Sequence, residues 1–152
     1  MADIKSPEAR SKNMAAIKGK DTKPEIYLRK KLFSLGFRYR KNSSKILGHP
    51  DIWMAKYNVA IFVHGCYWHR HLNCRYAYTP KSRVDFWTKK FSDNVTRDKF
   101  VLKSLQEQGI RCLVIWECTI RKMTKCLDFE NQVIAEIQDF LISGDFYHEI
   151  ST

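Results

Sequence analysis

Residues 59–74, VAIFVHGCYWHRHLNC, join a fully apolar run to a stretch that is rich in histidine and cysteine. The apolar residues 59–63 indicate a buried β-strand, because three of the five are β-branched and a turn signal precedes them. Residues 64–74 contain three of the five histidines and two of the five cysteines of the chain. Packing alone seldom gathers such scarce residues, so this stretch indicates a metal site, a catalytic site or both.

Patterns on both sides of this stretch predict an α/β domain. The motif TKPE at 22–25 is a capping box that opens a helix, and it is enough to explain Glu25, while Gly36 ends this helix. A second capping box at 82–85 opens a long helix. The elements predicted by periodicity are strands at 37–41, 51–55, 59–63 and 110–116 and helices at 82–108 and 129–142. This order favours a small mixed sheet flanked by helices.

Length and charge restrict the class of protein. The chain has 152 residues, which favours a single domain over residues 1–152. Its net charge of +11 comes from 27 Lys and Arg against 16 Asp and Glu, and it favours a polyanionic partner, nucleic acid first. Residues 1–20 are basic, and SPE at 6–8 predicts the start of a helix. We find no membrane span or signal-peptide pattern and therefore expect a cytoplasmic protein.

The cysteines of the opening stretch have the spacing of a metal site. Cys66, His71 and Cys74 follow the pattern C-x4-H-x2-C, and Cys118 comes just after the next buried strand. Strand ends at one edge of a sheet can converge, so Cys118 can complete a tetrahedron of three thiolates and one imidazole. Such a closed site is typical of structural zinc.

Other interpretations of these residues remain open. The thiols can be buried free cysteines beside a surface histidine. Alternatively, His64, His69 and His71 can hold a catalytic zinc, although the neighbouring cysteines would then have no role. Cys112 lies within an apolar strand and is expected in the core, whereas Cys126 has no assigned role.

Two aspartates are candidates for chemistry. Asp51 comes just before the hairpin that leads into the apolar strand, where a carboxylate suits a hard ion such as Mg²⁺; a turn-initiating aspartate is the alternative. Asp98 falls on the apolar stripe of its helix, between Val95 and Leu102. A carboxylate there needs a partner, and a histidine is a good candidate because a carboxylate orients an imidazole. A salt bridge near Arg97 or partial exposure is the alternative.

Several motifs, in one order, resemble the very short patch repair endonucleases. They are RSKNMAAI at 10–17, DTKPE at 21–25, PD at 50–51, HGCYWH at 64–69, FW at 86–87, NVTRD at 94–98 and VIWEC at 114–118. The resemblance runs from about residue 8 to residue 142. It implies a restriction-endonuclease-like core with a structural zinc site. It also implies that the protein nicks one DNA strand 5′ to the T of a T:G mismatch, the product of 5-methylcytosine deamination.

The resemblance implies a role for each candidate residue of the site. Asp51 would ligate Mg²⁺ together with the backbone carbonyl of Val63. His69 would be the general base, and Asp98 would orient it. Glu25 and His64 would assist around the metal-bound water and the phosphate. The zinc ligands would be Cys66, His71, Cys74 and Cys118.

The resemblance also implies which residues contact DNA. Tyr67, Trp68 and Trp87 would enter the base stack, and Met14 and Ile17 would form a wedge from the opposite groove. Without the resemblance, Trp87 is more simply explained by packing in the core, since it lies on the apolar helix stripe.

The implied partner is double-stranded DNA that contains a T:G mismatch, and mismatch-repair proteins are implied as further partners. The protein would act as a monomer in the bacterial cytoplasm, associated with the nucleoid.

Two other functions remain open. One is a zinc-stabilised DNA-binding module without nuclease activity, and the other is a hydrolase that uses a catalytic zinc. The constellation of Asp51, His69 and Asp98 favours the endonuclease, because binding alone does not require it.

Overall fold

The structure is a computed structural model, and it describes residues 21–152. The basic helix expected within residues 1–20, with Met14 and Ile17, lies outside the described residues. The helices are α1 (Lys23–Ser34), α2 (Val84–Glu107), α3 (Glu117–Met123) and α4 (Leu127–Ile142). The strands are β1 (Ile52–Met54), β2 (Val59–His64), β3 (Arg111–Trp116) and β4 (Tyr147–Ile150).

The four strands form one mixed sheet in the order β1-β2-β3-β4. β1 pairs antiparallel with β2, while β2 pairs parallel with β3, and β3 with β4. The small mixed sheet predicted from the sequence is therefore confirmed. In the register of the central pair, His64 lies beside Trp116, so the carboxyl ends of β2 and β3 meet at one edge.

The two central strands are apolar except for His64 at the end of β2 and Arg111 at the start of β3, because both faces of the sheet are covered. One face carries Ile61 and packs with Leu28 of α1 and Ile137 of α4. The opposite face carries Phe62 and packs with Leu105 of α2. Cys112 is fully buried in this second cluster, as expected. Among the described residues, no helix is both long enough and apolar enough to span a membrane.

Some local predictions are confirmed and others are wrong. The Thr22 N–H donates to Glu25 Oε2 at 2.8 Å, as the capping box at 22–25 predicts. The second capping box is wrong, because α2 begins after Arg83, which is the N-cap and has a left-handed φ of 54°. The strand expected at 37–41 is reduced to an isolated bridge between Arg40 and Trp53. Helix α3 and strand β4 were not predicted.

Candidate active site and metal centre

The two histidines of the loop after β2, His69 and His71, lie in two different clusters of potential metal ligands. The His69 N–H donates to the Gly65 carbonyl at 3.0 Å, and the His71 N–H donates to the Cys66 carbonyl at 3.1 Å. Arg70, between the two histidines, has a φ of 56° in the left-handed region, which redirects the chain. His69 therefore joins one cluster of side chains and His71 joins the other.

Arg70 also holds this loop together through its side chain. Its guanidinium donates to the carbonyls of Ala77 at 2.9 Å and Tyr78 at 3.0 Å. The same group lies over the Phe91 ring of α2, 4.0 Å from the ring centroid. Arg70 thus links the loop to the long helix, a role that sequence reasoning missed although this arginine stands within the histidine-rich stretch.

Cys66, His71, Cys74 and Cys118 form the first cluster. One donor atom from each residue lies within 4.8 Å of the others. The Cys118 Sγ is 3.4 Å from His71 Nδ1, and the Cys118 N–H donates to the Cys66 Sγ at 3.4 Å. All three cysteines are free. The structure thus brings together the four residues that the spacing suggested, and it separates His71 from the other two histidines of the stretch.

The chemistry of this donor set fits a zinc ion. Burial raises the pKa of the Cys66 thiol, and the neighbouring Cys118 thiol adds to this effect. Crowded thiols of this kind ionise readily only when a cation compensates their charge. Three thiolates and one imidazole are a common ligand set for tetrahedral structural zinc.

The second cluster lies in a cleft of about 900 Å³. The cleft is bounded by the start of α1, the segment before β1, the end of β2, the loop after β2 and one face of α2. The candidate residues that line it are Glu25, Asp51, Val63, His64, His69 and Asp98. Residues from five segments of the chain therefore line one open space.

Two carboxylates occupy one side of this cleft. Glu25 is buried, and Asp51 Oδ2 accepts a hydrogen bond from the Val63 N–H at 2.6 Å. Burial raises the pKa of Asp51 to about 8, and the adjacent Glu25 carboxylate contributes to this rise. Two oxygen donors that are costly to ionise together suit a hard divalent cation. The contact with Val63 is through its N–H, so a role for its carbonyl stays a prediction.

A histidine and an aspartate are paired on the other side of the cleft. His69 Nδ1 is 2.6 Å from Asp98 Oδ2, which provides the histidine partner expected for Asp98. The ring of His64 stacks on that of His69, with centroids 4.1 Å apart and planes 7° from parallel. Burial lowers the pKa of His64 to about 3, so this imidazole is neutral near neutral pH.

The indole of Trp116 lies between the two clusters. The His71 ring stacks on it at 4.2 Å, and the His64 ring meets it nearly edge-on at 5.3 Å. Its N–H donates to Glu149 Oε1 of β4 at 3.0 Å. Sequence reasoning assigned no role to Trp116 or Glu149. Trp116 joins the cysteine cluster to the cleft through direct ring contacts, and Glu149 anchors its indole N–H.

The aromatic residues expected to contact DNA form a cluster of their own. Tyr67 lies 5.1 Å from Trp68 and 5.8 Å from Trp87, measured between ring centroids. Trp87 is only 6% exposed and also stacks on Phe91, as the core explanation for this residue requires. Tyr67 and Trp68 are partly exposed. Insertion of these rings into DNA stays a prediction.

Comparison with known proteins identifies the family. A family model described as "DNA mismatch endonuclease Vsr" matches residues 2–75. Type II nicking enzyme V.NmeAIP of Neisseria meningitidis serogroup A is 41% identical over 139 residues, which cover 91% of this chain and 99% of that protein. DNA mismatch endonuclease Vsr of Escherichia coli is 40% identical over 128 residues, which cover 84% and 81%.

Type II nicking enzyme V.XorIIP of Xanthomonas oryzae pv. oryzae is similar as well, with 39% identity over 120 residues that cover 79% of this chain and 88% of that protein. The chain therefore belongs to the Vsr family, the very short patch repair endonucleases, and the resemblance inferred from its motifs is confirmed.

Proposed function

We propose that this protein is a Mg²⁺-dependent DNA endonuclease that nicks one strand on the 5′ side of the T in a T:G mismatch. The observation that carries the proposal is the cleft, which is lined by the carboxylates of Glu25 and Asp51 and by the paired His69 and Asp98. The names of the relatives, mismatch endonuclease and nicking enzyme, support it.

Asp51, with Glu25 beside it, would hold the Mg²⁺. The high pKa of Asp51 indicates that the two carboxylates lack sufficient positive charge around them. Arg29 contributes only in part, since its guanidinium is 3.4 Å from Glu25 Oε2 and also binds Asp21. Bound here, Mg²⁺ supplies Lewis-acid stabilisation of the negative charge that develops at the scissile phosphate.

His69 would act as the general base. In the tautomer in which Nδ1–H donates to Asp98, Nε2 is free to take a proton from the attacking water. Asp98 stabilises the imidazolium that results. The stacked, neutral His64 keeps the His69 ring in its plane without adding a competing charge. A positioned base of this kind contributes roughly 10²–10⁴-fold to the rate.

The Cys66, His71, Cys74 and Cys118 cluster would hold a structural Zn²⁺. Four protein ligands leave no open position for a substrate, so this ion would have no part in the reaction. It would tie the loop after β2 to the start of α3, where Cys118 lies. His69 belongs to the same loop, so the ion also limits the movement of the proposed base.

Recognition of the mismatch would use the aromatic cluster. Tyr67 and Trp68 would enter the base stack beside the T:G pair, and Trp87, which is buried against Tyr67, would support them from behind. Unstacking a base step costs about a few kcal/mol, and it costs less where pairing is already weak. This difference favours a mismatch over a matched pair. The proposed partner is double-stranded DNA in which deamination of 5-methylcytosine has produced a T:G pair. A single copy of the chain would bind it, since one T:G pair has no two-fold symmetry.

The test uses short labelled duplexes that contain one T:G pair in several flanking contexts, with a matched T:A duplex as control. Both strands are resolved on a denaturing gel after incubation with Mg²⁺ or with EDTA. We expect one nick, 5′ to the mismatched T, that is absent from the control and is lost with EDTA. Tight binding without a nick in any context would contradict the proposal and favour a DNA-binding module.

A further inference from the structure

We infer that His64, His69 and Asp98 form an inhibitory binding site for a divalent transition-metal ion such as Zn²⁺ or Co²⁺. One donor atom from each of the three side chains lies within 4.8 Å of the others. The donors come from the end of β2, the loop that follows it and the middle of α2. Three separate segments thus converge on a point that one ion can occupy after a small adjustment.

The donor set selects a different ion from the other two clusters. Two imidazoles and one carboxylate suit zinc, cobalt and nickel, whereas Mg²⁺ prefers oxygen donors alone. The Glu25 and Asp51 pair offers only oxygens, and the cysteine cluster offers mainly sulfur. Each cluster therefore has its own preference, and an excess of Mg²⁺ would compete poorly for the imidazoles.

The site is accessible from the cleft. The side chains of His69 and Asp98 are 29% and 21% exposed, and both line the open space. His64 is 8% exposed and forms the back of the site, with its ring parallel to that of His69. An ion that enters the cleft meets the more exposed His69 and Asp98 first, with His64 behind them.

Occupation of this site would remove the proposed base. His69 Nδ1 and Asp98 Oδ2, now 2.6 Å apart, would both bind the ion. The Nδ1 proton would pass to solvent, and Nε2 would take up a proton from solvent, so the imidazole stays neutral. His69 would then lose the hydrogen bond that orients it, and its Nε2, now protonated, could not accept a proton from the attacking water. The inhibitory effect rests on the proposed nicking function, but binding of the ion does not.

Binding is tested by titrating Co²⁺ into protein that already carries its structural zinc, with excess Mg²⁺ present to occupy the Glu25 and Asp51 site. Calorimetry and visible absorption are the readouts. We expect one added Co²⁺ per chain, with weak d–d bands and no intense thiolate-to-cobalt charge transfer. Asp98→Ala and His64→Gln should each weaken this binding by about tenfold or more. Asp51→Asn and the surface control His148→Gln should leave it unchanged.

The inference is overturned if no additional ion binds, if the added ion shows thiolate charge transfer, or if Asp51→Asn abolishes binding while Asp98→Ala does not. Asp98 is partly exposed, so its variant remains informative even if His64→Gln does not fold. In parallel, Zn²⁺ should abolish nicking at saturating Mg²⁺, and full nicking by protein with the ion bound would refute inhibition. A protein that binds the ion but never nicks would contradict only the proposed function.

Discussion

At the scale of single residues, Asp98 is the clearest case of a side chain whose position requires an explanation from chemistry. It lies on a helix face shared with apolar residues, and its carboxylate meets His69 Nδ1 at 2.6 Å. We expect Asp98→Asn to lower the single-turnover nicking rate by roughly 10²–10⁴-fold, because the amide neither fixes the tautomer nor stabilises the imidazolium. Affinity for the T:G duplex should be unchanged.

The matched control is Asp93→Asn, which alters an exposed carboxylate on the same helix. This variant should nick at the rate of the unmodified protein. A nicking rate for Asp98→Asn within about twofold of that control would show that the pair with His69 is structural and has no part in base catalysis.

The raised pKa of Asp51 predicts the pH dependence of Mg²⁺ binding. With a pKa of about 8, the carboxylate pair retains a proton at neutral pH that the cation must displace. Affinity for Mg²⁺ should therefore rise with pH, by up to about tenfold per unit, and level off above pH 8. Calorimetric titrations across this range measure the slope directly.

Glu25→Gln provides the control for this prediction. Removing the neighbouring charge lowers the pKa of Asp51, so the rise in affinity should move to lower pH. A pH-independent affinity in the unmodified protein would contradict the interpretation.

The raised pKa of Asp51 also affects the stability of the fold. Without metal, the folded form holds a proton that the unfolded form releases, so this pair destabilises the fold as pH rises from about 4 to about 8.

At the scale of elements, we expect the stability of the loop after β2 to depend on the proposed zinc ion. An ion at a thousand times its Kd stabilises a fold by about 4 kcal/mol, which for a chain of this size corresponds to about 8–16 °C in Tm. Cys118→Ser should lose stoichiometric zinc and show a fall in Tm of this order by calorimetry. Cys126 is exposed, so Cys126→Ser is the control and should retain the zinc content and the Tm of the unmodified protein. Full zinc content in Cys118→Ser would refute the ligand set.

The elements that were predictable from the sequence are those with a strong local pattern. β2 and β3 each contain a run of five consecutive apolar residues, 59–63 and 112–116, and α1 begins at a capping box. β4 was missed because YHEI is a short, partly exposed edge strand whose pairing with β3 is long-range. α3 was missed because it is short and follows β3 without an intervening loop.

In the candidate site too, residues close together in the sequence were predictable, whereas contacts between distant segments were not. The cysteine cluster was recognisable because three of its members lie within nine residues of each other, from Cys66 to Cys74. The hydrogen bond from Trp116 to Glu149 joins residues that are 33 positions apart and leaves no pattern in either segment. Arg70 was noticed only as a charged residue, since its four acceptors come from a loop without regular spacing.

At the scale of the whole molecule, we expect the net charge of +11 to govern the proposed affinity for DNA. Each phosphate that a lysine or arginine neutralises releases counterions, so log affinity falls linearly with log salt. About five such contacts would give a slope of about −4 to −5. Filter binding or fluorescence anisotropy from low to moderate salt measures it.

Because phosphates are common to all duplexes, the slope should be similar for T:G and T:A duplexes while the absolute affinities differ. A slope near zero would exclude phosphate contacts as the main source of affinity. A slope that is steep only for the mismatched duplex would indicate that unpaired bases, and the deformation they permit, recruit additional phosphate contacts.

The most direct test of the cleft as the site of strand cleavage compares Asp51→Asn with Asp139→Asn, an exposed control on α4. Both are assayed with Mg²⁺ on one labelled T:G duplex, for binding and for nicking. We predict equal binding, normal nicking by Asp139→Asn, and a loss of about 10³-fold or more for Asp51→Asn, since the carboxylate that holds the cation is gone. Substantial nicking by Asp51→Asn would contradict the account.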